Sequence, residues 1–145
     1  MRNVREVRSI PHAFRDLLEG RACAVLSTVM PDGQPQSTVV WCDVDGDDVL
    51  INTIRGFRKE KNMRANPRVT LLAYEQRNPL RSLEVRGTVV EMREAGALEH
   101  LDRLSVKYIG RVAFVLPIHI VHLTRAVDAD LTRKLCSLKI PPIHH

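Results

Sequence analysis

The chain has 145 residues and a formal net charge of +5, with 44% hydrophobic and 27% charged residues. That length suits a single domain over residues 1–145 with a substantial core, and the composition is that of an ordinary soluble protein. No apolar run approaches the roughly 18 residues that span a bilayer, and the basic start MRNVREVRSI lacks an apolar h-region and a cleavage site. The expected location is therefore the cytoplasm. Cys23, Cys42 and Cys136 have no metal-ligand spacing and read as reduced, mostly packed thiols.

Ser9 is a candidate helix N-cap with Pro11 in the first turn; Phe14, Leu17 and Leu18 form an apolar stripe, and Gly20 ends the helix. ACAVLSTVM (22–30) reads as a largely buried strand and PDGQ (31–34) as a turn. PQSTVVWCDV (35–44) is the next strand, and DGD (45–47) turns into DVLINT (48–53). Such short connections predict a three-strand antiparallel meander. A basic helix over 57–65 follows, then a strand over 67–75, a turn at 77–80 and a long strand over 81–92. Gly87 inside that strand predicts a bulge or sharp bend. Residues 94–107 are amphipathic through Leu98, Leu101, Leu104 and Val106 and predict a helix. RVAFVLPIHIVHLT (111–124) is a sixth strand kinked at Pro117, and 127–138 a last short helix. Five or six antiparallel strands with two or three small helices predict a small, mainly β barrel of the α+β class. A barrel this small is filled by its own side chains, so a ligand belongs outside it, in a groove shared by two copies.

The richest segment is VLINTIRGFRKEKNMRANPRVTLLAY (49–74). Six of the fourteen residues 55–68 are basic and only Glu60 is acidic. A strand ends in Asn52 and Thr53, a turn forms at Gly56, and Arg58 and Lys59 open the basic helix. Amides and hydroxyls beside two cations at a helix N-terminus make a receptor for a phosphate. The competing readings are a solvated face or a nucleic-acid patch. Phe57 is the helix's one aromatic neighbour, which disfavours nucleic acid.

In order and spacing these motifs resemble the FMN-binding split-barrel family of pyridoxamine 5'-phosphate oxidase, and within it the small F420-dependent flavin/deazaflavin oxidoreductases. The segment Asn52-Thr53-Ile54-Arg55-Gly56-Phe57-Arg58-Lys59, running on to Asn66-Pro67-Arg68-Val69, is similar to the family's strand–turn–Arg-Lys–helix–Asn-Pro run. Arg81-Ser82-Leu83-Glu84-Val85-Arg86-Gly87-Thr88-Val89 is similar to its later strand, and Gly33-Gln34-Pro35-Gln36-Ser37-Thr38-Val39-Val40 to the strand lining its ring site. The resemblance spans about residues 10–124. It implies a six-stranded antiparallel split barrel, a homodimer, and coenzyme F420 or FMN as cofactor. Arg58 and Lys59 would hold the cofactor phosphate, with Asn52 and Thr53 at the phosphate or ring edge. Ser37, Thr38, Val39 and Val40 would lie along the ring, and Lys61 and Arg64 would meet an anionic tail. Ser82 stands where the family carries Gln.

Pyridoxamine oxidases end in an Arg-x-His pattern, which ADLTRKLCSLKIPPIHH lacks; this argues against pyridoxamine 5'-phosphate oxidation. The implied chemistry is hydride transfer from a reduced cofactor to an electron-poor C=C or C=N bond, with Tyr74, Arg55 and Trp41 as candidate proton donors. An alternative is a binding protein that holds a flavin, haem or another tetrapyrrole without turnover. Trp41 also reads as a core residue. His119 and His122, three apart on a strand, fall on opposite faces and do not make a metal pair. The acidic turn Asp43, Asp45, Asp47 and Asp48 lacks calcium-loop spacing. His144 and His145 read as either a native tail or a tag remnant. The expected partners are a second copy and a small-molecule substrate, without nucleic acid or membrane.

Overall fold

A 3-10 turn (His12–Phe14) and a one-turn helix α1 (Asp16–Glu19) lead into the sheet in the computed structural model, which describes residues 10–111 and 118–126. Leu17 and Leu18 are fully buried, and Arg81 clasps the segment from outside by donating two bonds to the Asp16 carboxylate (2.7 and 2.9 Å) and one to the Ala13 carbonyl (2.7 Å). Strand β1 (Cys23–Val29) buries Ala24, Leu26 and Thr28 and leaves Cys23, Val25 and Ser27 on its outer face, the period of two of an extended chain. It turns at Gly33, where φ is +89°, into β2 (Pro35–Val40).

The run read as one strand over 35–44 divides at Trp41 into β2 and β3 (Cys42–Asp45). Strand β2 pairs with β1, whereas β3 pairs with β4 (Asp48–Ile54) across the tight turn at Gly46. Among the described residues the sheet therefore has seven strands where six were expected, in the order β2-β1-β5-β6-β7-β4-β3, with β5 at Arg68–Glu75, β6 at Asn78–Arg93 and β7 at Ile118–Ala126. The expected three-strand meander is two hairpins that sit at opposite ends of that order. Since β2 and β3 are consecutive in the chain yet terminal in the sheet, the sheet curls until its edges approach at Trp41. This mostly antiparallel, curled sheet with its helices is consistent with an α+β split barrel.

The physical reason for the break lies in α3 (Ala97–Ile109), whose last turn meets the chain there. Tyr108 Oη accepts the Cys42 N–H at 3.3 Å, and Lys107 Nζ donates to the carbonyls of Cys42 (2.6 Å) and Leu18 (3.0 Å). Backbone groups that would otherwise need a strand neighbour are satisfied by a helix. Helix α3 begins three residues later than expected, because Gly96 adopts φ +76°, a left-handed conformation that a helix interior does not accommodate. It buries Ala97, His100, Leu101, Leu104 and Ser105, while Leu98 and Val106 are exposed.

Strand β6 is 16 residues long. Its first part pairs with β5 and its last part with β7, overlapping at Arg86, Gly87 and Thr88. The bulge expected at Gly87 lies instead between Val89 and Glu91, and Gly87 keeps regular register with both Val69 and Arg125. Leu26, Ile51, Leu71, Leu83 and Val85 fill the interior. A second cluster, Leu50, Ala97 and Leu101 with Trp41 and Ile54 against it, seats α3 on the outer face of β4. The N-cap at Ser9, the segment 112–117 with the kink at Pro117, the helix over 127–138, Cys136, and His144 and His145 lie outside the described residues.

Candidate functional site

Strand β4 ends at Ile54, and the chain turns through Gly56 at φ +85° into α2 (Arg58–Ala65). No side chain caps the helix start at Phe57, so the first-turn amides are left for a ligand. The turn is held from below. Glu60, 3% exposed, accepts the Gly56 N–H at 2.9 Å through Oε2 and takes the Arg64 guanidinium on Oε1. Asn62 and Met63 complete the buried face of α2.

Arg58 and Lys59 flank this uncapped turn, and neither has a carboxylate partner among the described residues. Arg58 is exposed; Lys59 is half-buried, with Nζ 5.6 Å from the centroid of the exposed Phe57 ring. Burial lowers the Lys59 pKa below the usual lysine range because it penalises the charged form. An anion delivered here meets uncapped amides and two uncompensated cations, which suits a phosphate. Lys61 is exposed one turn along, whereas Arg64 has one guanidinium edge committed to Glu60.

Asn52 and Thr53 point elsewhere. Asn52 faces α3, with Nδ2 2.5 Å from Nδ1 of the buried His100. Thr53 faces the interior at 3% exposure. Asn52 Oδ1 and Thr53 Oγ1 are buried without a hydrogen-bond partner among the described residues, so what these residues offer an external ligand is chiefly their backbone.

The ring strand β2 pairs with β1. Along the outer face, Ser37 pairs with Ser27 and Val39 with Val25, and Thr70 and Leu72 continue those rows on β5. Ser37 and Ser27 share a hydrogen bond of 2.8 Å. Val39 is 72% exposed, while Val40 is buried in the core. Thr38 alternates to the inner side, its hydroxyl 3.5 Å from the Val39 carbonyl. Ser82 sits on the outer face opposite Tyr74. It is six residues, about 20 Å, along β6 from Thr88, which pairs with Arg68 at the foot of α2.

Of the candidate proton donors, Arg55 is ion-paired to Glu94 and Trp41 is stacked on Tyr108. Tyr74 is half-buried, and its hydrogen bond to Cys23 raises its pKa. The backbone positions of His119 and His122 pair with Thr53 and Leu50. Among the described residues no group of three or more His, Cys, Asp or Glu forms a metal site, and no helix is long and apolar enough to cross a membrane. The sequence reading missed Glu60 as the support of the turn and His100 as the partner of Asn52. The signals for Glu60 were its standing as the single acid in a basic run and Arg64 four residues on; for His100 the sequence holds none.

Residues 10–133 match the family model described as pyridoxamine 5'-phosphate oxidase. Among solved structures, an F420 reductase is similar at 29% identity, covering 80% of this chain and 95% of its own, with a TM-score of 0.71. A conserved hypothetical protein from Mycobacterium tuberculosis shares 20% identity over 97% of this chain and 96% of its own, with a TM-score of 0.68. HupZ from Group A Streptococcus shares 21% over 83% and 98%, with a TM-score of 0.62. At those lower identities the likeness is one of fold. No curated protein matches the chain by sequence. Fold and family together are of the flavin/deazaflavin oxidoreductase type. The curled antiparallel sheet, the Arg58-Lys59 turn and the match over most of the chain agree: the chain belongs to the pyridoxamine 5'-phosphate oxidase family.

Proposed function

We propose that the protein is a homodimeric oxidoreductase that binds coenzyme F420 in a groove shared by two copies and reduces an electron-poor C=C or C=N bond of an organic substrate. The observation that carries this reading is the uncapped first turn of α2, flanked by Arg58 and Lys59 without acidic partners among the described residues. Similarity to an F420 reductase at 29% identity supports the deazaflavin choice. The interior is occupied by core side chains, which supports a cofactor site outside it. The outer row Val39–Val25–Leu72, bordered by Ser37–Ser27–Thr70, offers an apolar face for a ring and a second copy.

When bound, the deazaflavin supplies the hydride. The chain's own residues bind and orient. Arg58 and Lys59 hold the phosphate with charge-assisted bonds. Ser37, Thr38, Val39 and Val40 form the strand beneath the ring, and the amides of Asn52 and Thr53 edge the turn. Lys61 meets the anionic tail, with Arg64 contributing whatever its pairing with Glu60 leaves free. Ser82, on the outer face opposite Tyr74, takes the place of the family's Gln at the cofactor. Tyr74, on the outer face opposite Cys23 and Ser82, is the phenol assigned as proton donor, although its raised pKa makes it a weaker acid than an ordinary tyrosine.

FMN is the second reading, because a clamp for a phosphate suits either cofactor and the matching family model is that of an oxidase. Fluorescence titration with F420 and with FMN separates them. Tight F420 and weak FMN binding supports the proposal, and the reverse moves the protein to FMN chemistry. Binding of neither removes both, and haem and biliverdin become the ligands to titrate. Sedimentation tests the dimer: a monomer that binds cofactor tightly contradicts the shared groove.

A further inference from the structure

Two parts of the candidate groove are far apart in sequence, yet a buried polar chain joins them. Asn62, on the inner face of α2 and 1% exposed, donates from Nδ2 to Thr28 Oγ1 at 3.1 Å and lies 3.3 Å from Met30 Sδ. Thr28, also 1% exposed, donates to Gln36 Oε1 at 3.0 Å. Gln36 directly precedes Ser37 on the ring strand. The chain thus runs from the helix of the phosphate clamp, through β1, to the strand assigned to the ring. On the opposite face of β1, Ser27 bonds Ser37 itself, so β2 is gripped from both sides at this point.

Stability alone does not call for this arrangement. Apolar side chains of similar size would fill the space without desolvation cost, and Asn62 Oδ1 is buried with no hydrogen-bond partner among the described residues. What directional bonds add over apolar contact is a fixed height and rotation of α2 relative to β2. A ligand with a ring and a phosphate joined by a chain of set length engages two subsites at once. It gains from the second only if their separation matches its span.

We propose that Asn62, Thr28 and Gln36 are positioning residues that set the separation between the phosphate clamp and the ring strand, and so select a phosphorylated cofactor of one length. The inference rests on the cofactor reading above. Its test compares ligands with and without the phosphate: F420 against phosphate-free deazariboflavin, and FMN against riboflavin, each titrated by fluorescence. Wild-type protein should prefer the phosphorylated member of a pair. Thr28→Val, which keeps shape and deletes the hydroxyl, should shrink that preference about five- to tenfold, the size of one lost hydrogen bond. The affinity for the phosphate-free member should not change, and Thr28→Ser should restore the preference. Gln36→Met, at a half-buried position, provides the same comparison if Thr28→Val does not fold, with a smaller shift in the same direction. Equal weakening of both members, or an intact preference in the variants, overturns the spacer while leaving the cofactor reading standing. A wild-type protein without preference for phosphate overturns the cofactor reading itself.

Discussion

The indole of Trp41 lies flat on the ring of Tyr108, with centroids 5.3 Å apart and planes 6° from parallel. The stack sits where the long outer strand changes partner, and Tyr108 and Lys107 bond the backbone of Cys42 beside it. The stack and these bonds tie α3 to the meeting point of the two sheet edges. Trp41→Ala should therefore cost about 2–3 kcal/mol of stability, below the range for a fully buried tryptophan because this one is part-exposed. Tyr108→Phe keeps the stack and loses the hydroxyl, at about 1 kcal/mol. Urea denaturation followed by circular dichroism measures both. If Trp41→Ala leaves stability intact but abolishes cofactor binding, Trp41 belongs to the ring site and not to the seam.

Arg64 and Lys61 are one turn apart on α2 but differ in their surroundings. Arg64 pairs with the buried Glu60, which also holds the Gly56 amide, whereas Lys61 is exposed. Arg64→Ala should lower stability by about 1–3 kcal/mol, since it takes a charged partner from a buried carboxylate. Lys61→Ala should leave the melting temperature unchanged and weaken F420 binding more than FMN binding. Equal effects of the two substitutions on stability would contradict this division of roles.

Much of the architecture is legible from local pattern. The hairpin turns at Gly33 and Gly46, the basic helix after Gly56 and the strand expected over 67–75, found at Arg68–Glu75, follow from turn chemistry and alternation, whereas most of the turn expected over 77–80 is already strand β6, which begins at Asn78. The partner switch at Trp41 is not legible. Gln36, Thr38, Val40, Cys42 and Val44 alternate inward without interruption through it, and the break is set by Lys107 and Tyr108 from a helix more than sixty residues away. The site divides in the same way. Arg58 and Lys59 are visible because a strand, a glycine turn and two cations are contiguous. The buried faces of α2 and β4 are not, because a charge run carries no mark of which members turn inward; Asn52 meets His100 only in three dimensions, whereas Glu60 bonds Gly56 and Arg64, four residues to either side.

Arg81 and Asp16 give the fold an acid-sensitive tie. The hydrogen bonds from Arg81 hold the Asp16 carboxyl below the usual carboxylate range. A depressed folded-state pKa means that the folded chain binds fewer protons than the unfolded one over that interval. The stabilisation is complete above the ordinary carboxylate value, near 3.9, and is lost as pH falls through the depressed value. Because Asp16 is exposed, the tie is worth no more than about 1 kcal/mol. Arg81→Leu should destabilise the protein slightly at pH 7 and by less once pH falls through the depressed Asp16 value, the remainder being the lost bond to the Ala13 carbonyl and the lost cover over Phe14, as read from denaturant midpoints. A deficit that persists unchanged at low pH would assign the effect to the contacts that do not titrate, the bond to the Ala13 carbonyl and the cover over Phe14, whose ring centroid is 5.5 Å from the Arg81 guanidinium.

Lys59 gives the proposed phosphate clamp a pH signature. Burial lowers its pKa from the ordinary 10.5, so in the free protein it loses its proton earlier than an exposed lysine would. A bound phosphate favours the cation and raises that pKa. Affinity should be flat at neutral pH and fall once pH passes the lowered free-protein value. The fall is up to about tenfold per pH unit, continuing until the bound-state value is reached. The decline should begin below 10.5. Lys59→Arg remains cationic throughout and should bind with a flat profile over the same interval, while Lys59→Ala should lose about 1.5–3 kcal/mol of binding at neutral pH. Titrations of F420 between pH 7 and about pH 10 measure these effects. A wild-type profile as flat as that of Lys59→Arg would mean that the lysine does not touch the phosphate, leaving Arg58 and the first-turn amides of α2 as the clamp.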